Sequence, residues 1–146
     1  GTSGCVFLRT DSRDGVAHID DSGDFGSVGF SEFHHSLAMA NLIDSSTADD
    51  GWKAVNRLFY SSGSGHSATE NVFWNIKGQG DLYSYQYGHG YVIGSTDIGV
   101  HTEVTNVYEN FGTAPEDFSE GIGEGASLIP QSLYEDQLSR RLADSD

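Results

Sequence analysis

Short apolar runs alternate with polar, glycine-rich stretches along this chain, and two of the runs lie in copies of one pattern. Residues 35–44 and 66–75 both place His-Ser ahead of a small residue, then Asn, then a short apolar run closed by a polar side chain. The two asparagines, Asn41 and Asn71, are 30 positions apart. A repeat of this length predicts stacked turns of one coil, because a single turn cannot bury its apolar side alone.

The apolar runs have the length of strands. Residues 36–43 could form a helix by propensity, but the second copy contains Val72, Phe73 and Trp74, which favour a strand. We therefore predict a strand in both copies. A third apolar run, residues 91–94, begins 19 positions after Val72 and predicts a further turn of the coil with a shorter loop.

Residues 81–88 alternate with a period of two, which places Tyr83, Tyr85 and Tyr87 on one side of a strand. Facing solvent, such a row is a platform for the flat faces of sugars. Facing inward, it is ordinary packing in which the hydroxyl groups find partners. The pattern leaves both interpretations open.

The end of the chain has the features of an amphipathic α-helix. Ser132 and Glu135 match a capping box, and Arg140 and Arg141 lie in the last turn, where the helix dipole favours cations. We expect this helix to pack on the coils.

The 146 residues suffice for one domain. Within it we predict parallel coils over residues 1–110, an extended linker over residues 111–129 and the helix over residues 130–143.

The composition is strongly acidic, since 22 Asp and Glu against 7 Lys and Arg give a formal charge of −15. This argues against nucleic acid as a partner, because neutralising phosphates needs a basic face. Two interpretations of the acidity stay open. One is solubility, including adaptation to salt; the other is Ca²⁺ binding, for instance at residues 20–24, since hard cations prefer clustered carboxylate oxygens.

No stretch is typical of a membrane span or a signal peptide, so we expect no membrane partner. The single Cys5 cannot form an internal disulfide, and we expect a buried, inert thiol there.

The chemically richest segment lies between the two copies. Two carboxylates, two cations and a histidine fall within 18 residues: Asp49, Asp50, Lys53, Arg57 and His66. Strands about 4.8 Å apart could gather such groups on one surface. The alternative is that the cations pair with the carboxylates as ordinary surface ions. Four histidines also raise the possibility of a metal site, although their spacing favours structural or hydrogen-bonding roles: His34, His35, His66 and His89.

These segments resemble right-handed parallel β-helix proteins of the pectate-lyase-like superfamily. The matching features are Asn-Leu-Ile-Asp at 41–44, Asp-Asp-Gly at 49–51, Gly-Ser-Gly-His at 63–66, Asn-Val-Phe-Trp-Asn at 71–75 and the helix sequence at 130–138. The resemblance implies an all-β fold, a right-handed parallel β-helix with a C-terminal α-helix. It also implies a secreted bacterial protein that acts on acidic polysaccharides by β-elimination or hydrolysis.

Such enzymes usually have many more coils than the three to five that 146 residues can form. The resemblance therefore implies that the remainder of a longer parent chain, or another subunit, covers the N-terminal end of the coils. An uncovered end would expose backbone donors and acceptors that pair readily with neighbours.

The two reactions need different residues. A lyase needs a base for the proton beside a uronate carboxyl and a positive group or metal to neutralise that carboxyl. Lys53 or Arg57 would be the base, with a lowered pKa in the case of Lys53, and His66 the acid or charge stabiliser. A hydrolase would use Asp49 and Asp50 as the carboxylates that flank the scissile bond.

The leading hypothesis is a secreted bacterial polysaccharide lyase, or part of one, that cleaves a uronic-acid polymer. The alternatives are a polygalacturonase-like glycoside hydrolase and a non-catalytic sugar-binding or structural fibre module. No cofactor is predicted apart from the open case of Ca²⁺. The predicted substrate-binding residues are His35, Trp52, Tyr83, Tyr85 and Tyr87.

Overall fold

The computed structural model describes residues 1–16, 29–57, 65–102 and 117–145. Its strands are short, and each pairing between them is parallel. The elements in chain order are β1 (Val6–Leu8), β2 (Asp11–Ser12), β3 (Ser31–Glu32), β4 (Leu42–Asp44), β5 (Thr47–Ala48), β6 (Trp52–Val55), β7 (Val72–Lys77), β8 (Asp81–Tyr85), β9 (Tyr91–Thr96), β10 (Gly99–His101), β11 (Phe118–Glu120), a 3₁₀ turn (Gly125–Ser127) and α1 (Leu133–Ala143).

The strands form two parallel sheets. The seven-stranded sheet has the order β1-β4-β7-β5-β2, with β9 beside β7 and β11 beside β9. The four-stranded sheet has the order β10-β8-β6-β3. None of the pairings joins two strands that are consecutive in sequence, as expected for parallel strands, which need a crossover connection.

The two copies of the sequence repeat lie on neighbouring strands, as predicted. Leu42 pairs with Val72 and Asp44 with Trp74, at the offset of 30 residues that separates the two asparagines. Val72 in turn pairs with Tyr91, at the predicted offset of 19. Residues 36–43 are not helical, and both copies contain a strand, although in the first copy it covers only Leu42–Asp44.

The apolar core lies where the two sheets meet. Ile43, Phe73 and Val92 hold equivalent positions on β4, β7 and β9 and are fully buried. From the four-stranded sheet, the Trp52 ring packs edge to face on the Phe73 ring, with 5.7 Å between centroids. Fully burying a side chain of this size contributes about 1.5–3 kcal/mol.

A chain of buried amides runs beside this core and crosses the strands. Asn41 Oδ1 accepts a hydrogen bond from Cys5 N at 3.1 Å, and Asn41 Nδ2 donates to Asn71 Oδ1 at 2.8 Å. Asn71 Nδ2 then donates to Gln86 Oε1 at 2.9 Å. The chain ends at Asp117, whose carboxylate accepts from Gln86 N at 3.1 Å. Each side chain thus satisfies polar groups of the next strand, as burial requires.

A left-handed bend recurs at matching positions of the seven-stranded sheet. Arg9, Ser45, Asn75 and Gly94 follow residues that are paired in register, and their φ angles are 51°, 51°, 53° and 71°. A non-glycine residue rarely adopts this conformation, so its recurrence reflects a repeated local structure.

The C-terminal helix begins where the capping box predicts. Ser132 Oγ accepts from Glu135 N at 3.3 Å, and acidic residues lie in the first turn. Asp44, fully buried at the end of β4, accepts from Ser132 Oγ at 2.9 Å and from Tyr134 N at 2.8 Å. No residue of α1 is itself buried, so polar contacts at its N-terminus hold the helix to the sheet.

The prediction of an all-β right-handed parallel β-helix is wrong. The described strands form two open parallel sheets with one helix, and neither sheet closes or continues as a solenoid, which suggests a sheet of the α/β type. The repeat predicted which strands pair, because pairing depends on the local apolar pattern. It did not determine how the chain connects the strands, and the connections over residues 17–28, 58–64 and 103–116 lie outside the described residues.

Two smaller expectations also meet the structure here. Of the predicted linker over residues 111–129, residues 117–129 are described, and they contain β11 and the 3₁₀ turn. Cys5 is exposed rather than buried, because β1 lies at an edge of the sheet.

Candidate functional site

Four polar side chains form a row across the outer face of the four-stranded sheet. Glu32 pairs with Lys53, Lys53 with Tyr83, and Tyr83 with His101, so that β3, β6, β8 and β10 each contribute one residue. Strand alternation explains their common direction, because the flanking positions of β6 and β8 are buried: Trp52, Ala54, Leu82 and Ser84. Neighbouring members of this row lie on strands about 4.8 Å apart. We call it the Lys53 row.

Lys53 lies between two aromatic rings. Its Nζ is 3.4 Å from the centroid of the Phe30 ring and 5.3 Å from that of the Tyr83 ring. Within the described part of the chain, this ammonium makes no salt bridge or hydrogen bond. Burial lowers the pKa of Lys53 from its ordinary value, an effect that the negative charge of Asp81 opposes. A lysine held in this way is more readily neutral, which is what a general base requires.

The next two members of the row form a stacked pair. The Tyr83 and His101 rings are 4.5 Å apart with an interplanar angle of 12°, and His101 Nε2 lies 2.8 Å from Asp81 Oδ1. Burial and the charge of Asp81 raise the pKa of the Tyr83 hydroxyl, so the phenol keeps its proton. The pair therefore offers a flat aromatic surface beside a proton donor.

The other end of the row is an ion-pair cluster. Arg57 Nη2 pairs with Glu32 Oε1, and His34 Nδ1 lies 2.9 Å from Glu32 Oε2. The Arg57 and Glu32 side chains are largely shielded from solvent. A depression of about 330 Å³ adjoins Glu32, His34 and His35. Arg57 is thus committed to a carboxylate of the protein, which makes it a poor candidate for a base.

Comparison with protein-family models, with curated proteins and with solved structures finds no match. Nothing in these comparisons identifies the chain as a member of the pectate-lyase-like superfamily.

The two predicted catalytic carboxylates lie in the bend between β5 and β6 and accept hydrogen bonds from other segments of the chain. Asp49 Oδ1 accepts from Gln79 N at 3.0 Å, and Asp50 accepts from Ser12 Oγ at 3.1 Å and from Gly15 N at 2.8 Å. Neither makes a salt bridge with Lys53 or Arg57. The interpretation of Lys53 and Arg57 as surface ion-pair partners of Asp49 and Asp50 is therefore wrong.

The other predicted residues lie in separate places. The His66 ring packs on the Tyr87 ring at 4.1 Å, beyond the end of β8, and the His35 ring packs against His34 at 5.3 Å. Trp52 belongs to the core. Tyr85 is buried and packs edge to face on Tyr83, so the three tyrosines do not form one exposed platform.

Sequence reasoning missed Glu32, Asp81 and His101. A signal for part of the row was present, because the offset of 30 residues between the two asparagines also carries Lys53 onto Tyr83. A further offset of 18, close to the 19 between the second and third apolar runs, carries Tyr83 onto His101. No comparable offset marks Glu32, since β3 pairs with β6 at a spacing of 21.

Within the ranges that the structure covers, no group of three or more His, Cys, Asp and Glu side chains could hold a metal ion. The proposed calcium loop at residues 20–24 lies outside those ranges. Among the same residues, no helix is both long and apolar enough to span a membrane.

Proposed function

We propose that this protein acts on a polysaccharide that contains uronic acid and cleaves it by β-elimination at the Lys53 row. The observation that carries the proposal is the position of Lys53, an ammonium that makes no salt bridge with the described residues and is set between the Phe30 and Tyr83 rings. A partly desolvated lysine is a suitable base for the proton next to the substrate carboxyl.

The neighbours of Lys53 would supply the rest of the reaction. Lys53 takes the proton from the carbon that carries the carboxyl, a carbon–carbon double bond forms, and the bond to the leaving glycosidic oxygen breaks. The Tyr83 hydroxyl gives that oxygen a proton. With both ring nitrogens protonated, His101 is oriented through Nε2 by Asp81 and donates a hydrogen bond from Nδ1 to the substrate carboxylate, whose charge it neutralises.

Absorbance of the new double bond is the test. Uronate oligosaccharides of several compositions are incubated with the wild-type protein and with Lys53→Gln. Removal of the base lowers the rate by about 10²-fold or more, the usual contribution of general base catalysis. Arg141→Gln, an exposed substitution on α1 that also removes one positive charge, is the matched control and keeps the wild-type rate. A wild-type protein that produces no double bond from any of these polymers would refute the proposal.

A non-catalytic sugar-binding module is the second candidate. The flat Tyr83–His101 pair favours it, since stacked aromatic faces alone can hold a sugar ring. In that case Tyr83→Ala weakens binding of oligosaccharides, measured by calorimetry, while no double bond and no new reducing end forms. The hydrolase is disfavoured because Asp49 and Asp50 already accept hydrogen bonds from backbone amides of other segments, those of Gln79 and Gly15. Secretion, and a further part of a parent chain or another subunit at the N-terminal end of the predicted coils, stay predictions.

A further inference from the structure

A polar groove of about 540 Å³ lies on the seven-stranded sheet, away from the Lys53 row. Its walls are the left-handed bends of that sheet and the segment between the 3₁₀ turn and α1. The residues that matter for its chemistry are Arg9, Thr47, Asn75, Lys77, Thr96 and Gln131.

Three of these side chains form a second row that crosses the sheet. Thr47 pairs with Lys77 and Lys77 with Thr96, so the groups lie on adjacent strands about 4.8 Å apart. The inward neighbours on the same strands, Ala48 and Ile76, are fully buried, which directs this row outward. Within the described residues, the Thr47 and Thr96 hydroxyls and the Lys77 ammonium have no hydrogen-bond or ion-pair partner.

The groove is also the place where a very acidic chain gathers positive charge. Asp11, which lines it, pairs with Arg13, and Arg9 pairs with Glu135. The charged residues of the groove lining are two bases, Arg9 and Lys77, and one acid, Asp11, whereas the whole chain has 7 bases and 22 acids. Lys77 is the cation left over. Such a site favours a ligand with negative charge and several hydroxyl groups.

We propose that this groove binds a carboxylate-bearing sugar without acting on it. The sugar carboxylate pairs with Lys77, and the Thr47 and Thr96 hydroxyls form hydrogen bonds with the ring hydroxyls. The side-chain amides of Asn75 and Gln131 form the far wall of the groove. Asn75 Nδ2 already donates to Gln131 Oε1 at 3.0 Å, which fixes both amides before a ligand arrives. This site goes beyond the proposed function, because it lies on the other sheet and contains none of the groups assigned to the reaction.

The experiment follows backbone amide resonances during titration. A uronate oligosaccharide, the corresponding neutral oligosaccharide and inorganic phosphate are added separately to the full chain. We expect the uronate to shift the amides of Thr47, Lys77 and Thr96. Lys77→Gln should weaken this binding about tenfold or more, as expected for loss of one charge-assisted contact. Arg141→Gln serves as the charge-matched control, and a resonance pattern and melting temperature like those of the wild type show that Lys77→Gln is folded.

Three results would overturn the inference: unshifted groove amides with the uronate, equal shifts with the neutral sugar, or equal shifts with phosphate. Failure of the proposed function is distinguishable from failure here. Lys53→Gln removes the base without touching the groove. Uronate-induced shifts of the groove amides that persist in Lys53→Gln therefore support this site alone. The same holds if the wild-type protein shows these shifts but forms no double bond.

Discussion

Replacing Asn71 with alanine removes the centre of the buried chain of amides. Asn71 Oδ1 accepts from Asn41 N at 3.1 Å and from Asn41 Nδ2 at 2.8 Å, and Asn71 Nδ2 donates to Ala38 O at 3.2 Å and to Gln86 Oε1 at 2.9 Å. At about 1 kcal/mol for each bond, the four lost bonds cost about 4 kcal/mol. Asn41 N has no other acceptor among the described residues, and leaving it buried adds about 1–2 kcal/mol.

We therefore expect Asn71→Ala to lower the free energy of unfolding by about 5 kcal/mol, a large part of the stability of a typical domain. Urea denaturation followed by circular dichroism and tryptophan fluorescence measures the change. Gln79→Ala is the control, because Gln79 carries the same kind of amide on the surface, and its effect should stay within about 0.5 kcal/mol.

A loss of less than about 1.5 kcal/mol for Asn71→Ala would refute the reasoning, because it would mean that water or a small rearrangement satisfies the freed groups. Should the variant fail to fold, hydrogen exchange of the wild-type protein gives an independent answer. The amides of Cys5 and Asn41, which donate to side chains of the chain of amides, should then be among the most protected.

Three further predictions concern other contacts. Phe73→Ala should lower the free energy of unfolding by about 3–5 kcal/mol in the same denaturation assay, because Phe73 is fully buried. Burial raises the pKa of Asp117 from 3.8 to about 6, so the folded protein holds this proton more tightly than the unfolded chain does. The free energy of unfolding should therefore fall by about 3 kcal/mol as the pH rises from below 3.8 to above 6. Asp117→Asn should remove this part of the pH dependence of stability. Asp44→Ala leaves Ser132 Oγ and Tyr134 N without their acceptor and should accelerate hydrogen exchange across α1, whereas an unchanged exchange rate would show that other contacts hold the helix.

Strand pairing was the part of the fold that the sequence could predict. The two asparagines and the apolar runs behind them repeat at a fixed offset, and a slip of one residue would turn each buried side chain outward. This is also why residues 36–43 form no helix despite their propensity: Ile43 must face the same core as Phe73.

The architecture and most of the site could not be predicted from the sequence. Parallel pairing is compatible with several ways of connecting strands, so the repeat alone led to a β-helix that the sheets do not form. Asp49 and Asp50 resembled catalytic carboxylates, but both accept hydrogen bonds from backbone amides of distant segments, contacts that the sequence does not show. His101 became visible only when the register of β10 on β8 placed it beside Tyr83.

The recurring left-handed bends have a consequence for the end of the chain. Glycine would relieve conformational strain at Arg9, Ser45 or Asn75, yet these side chains grip the C-terminal segment, through Glu135 in the first case and Gln131 in the other two. Gly94 has no side chain at the matching bend, and a methyl group there would lie 2.7 Å from Leu128 Cδ2, so the Leu128 side chain would have to move. Three of the four bends therefore hold the C-terminal segment through their side chains, which explains why a non-glycine residue is found there. The fourth bend, at Gly94, leaves space for that segment.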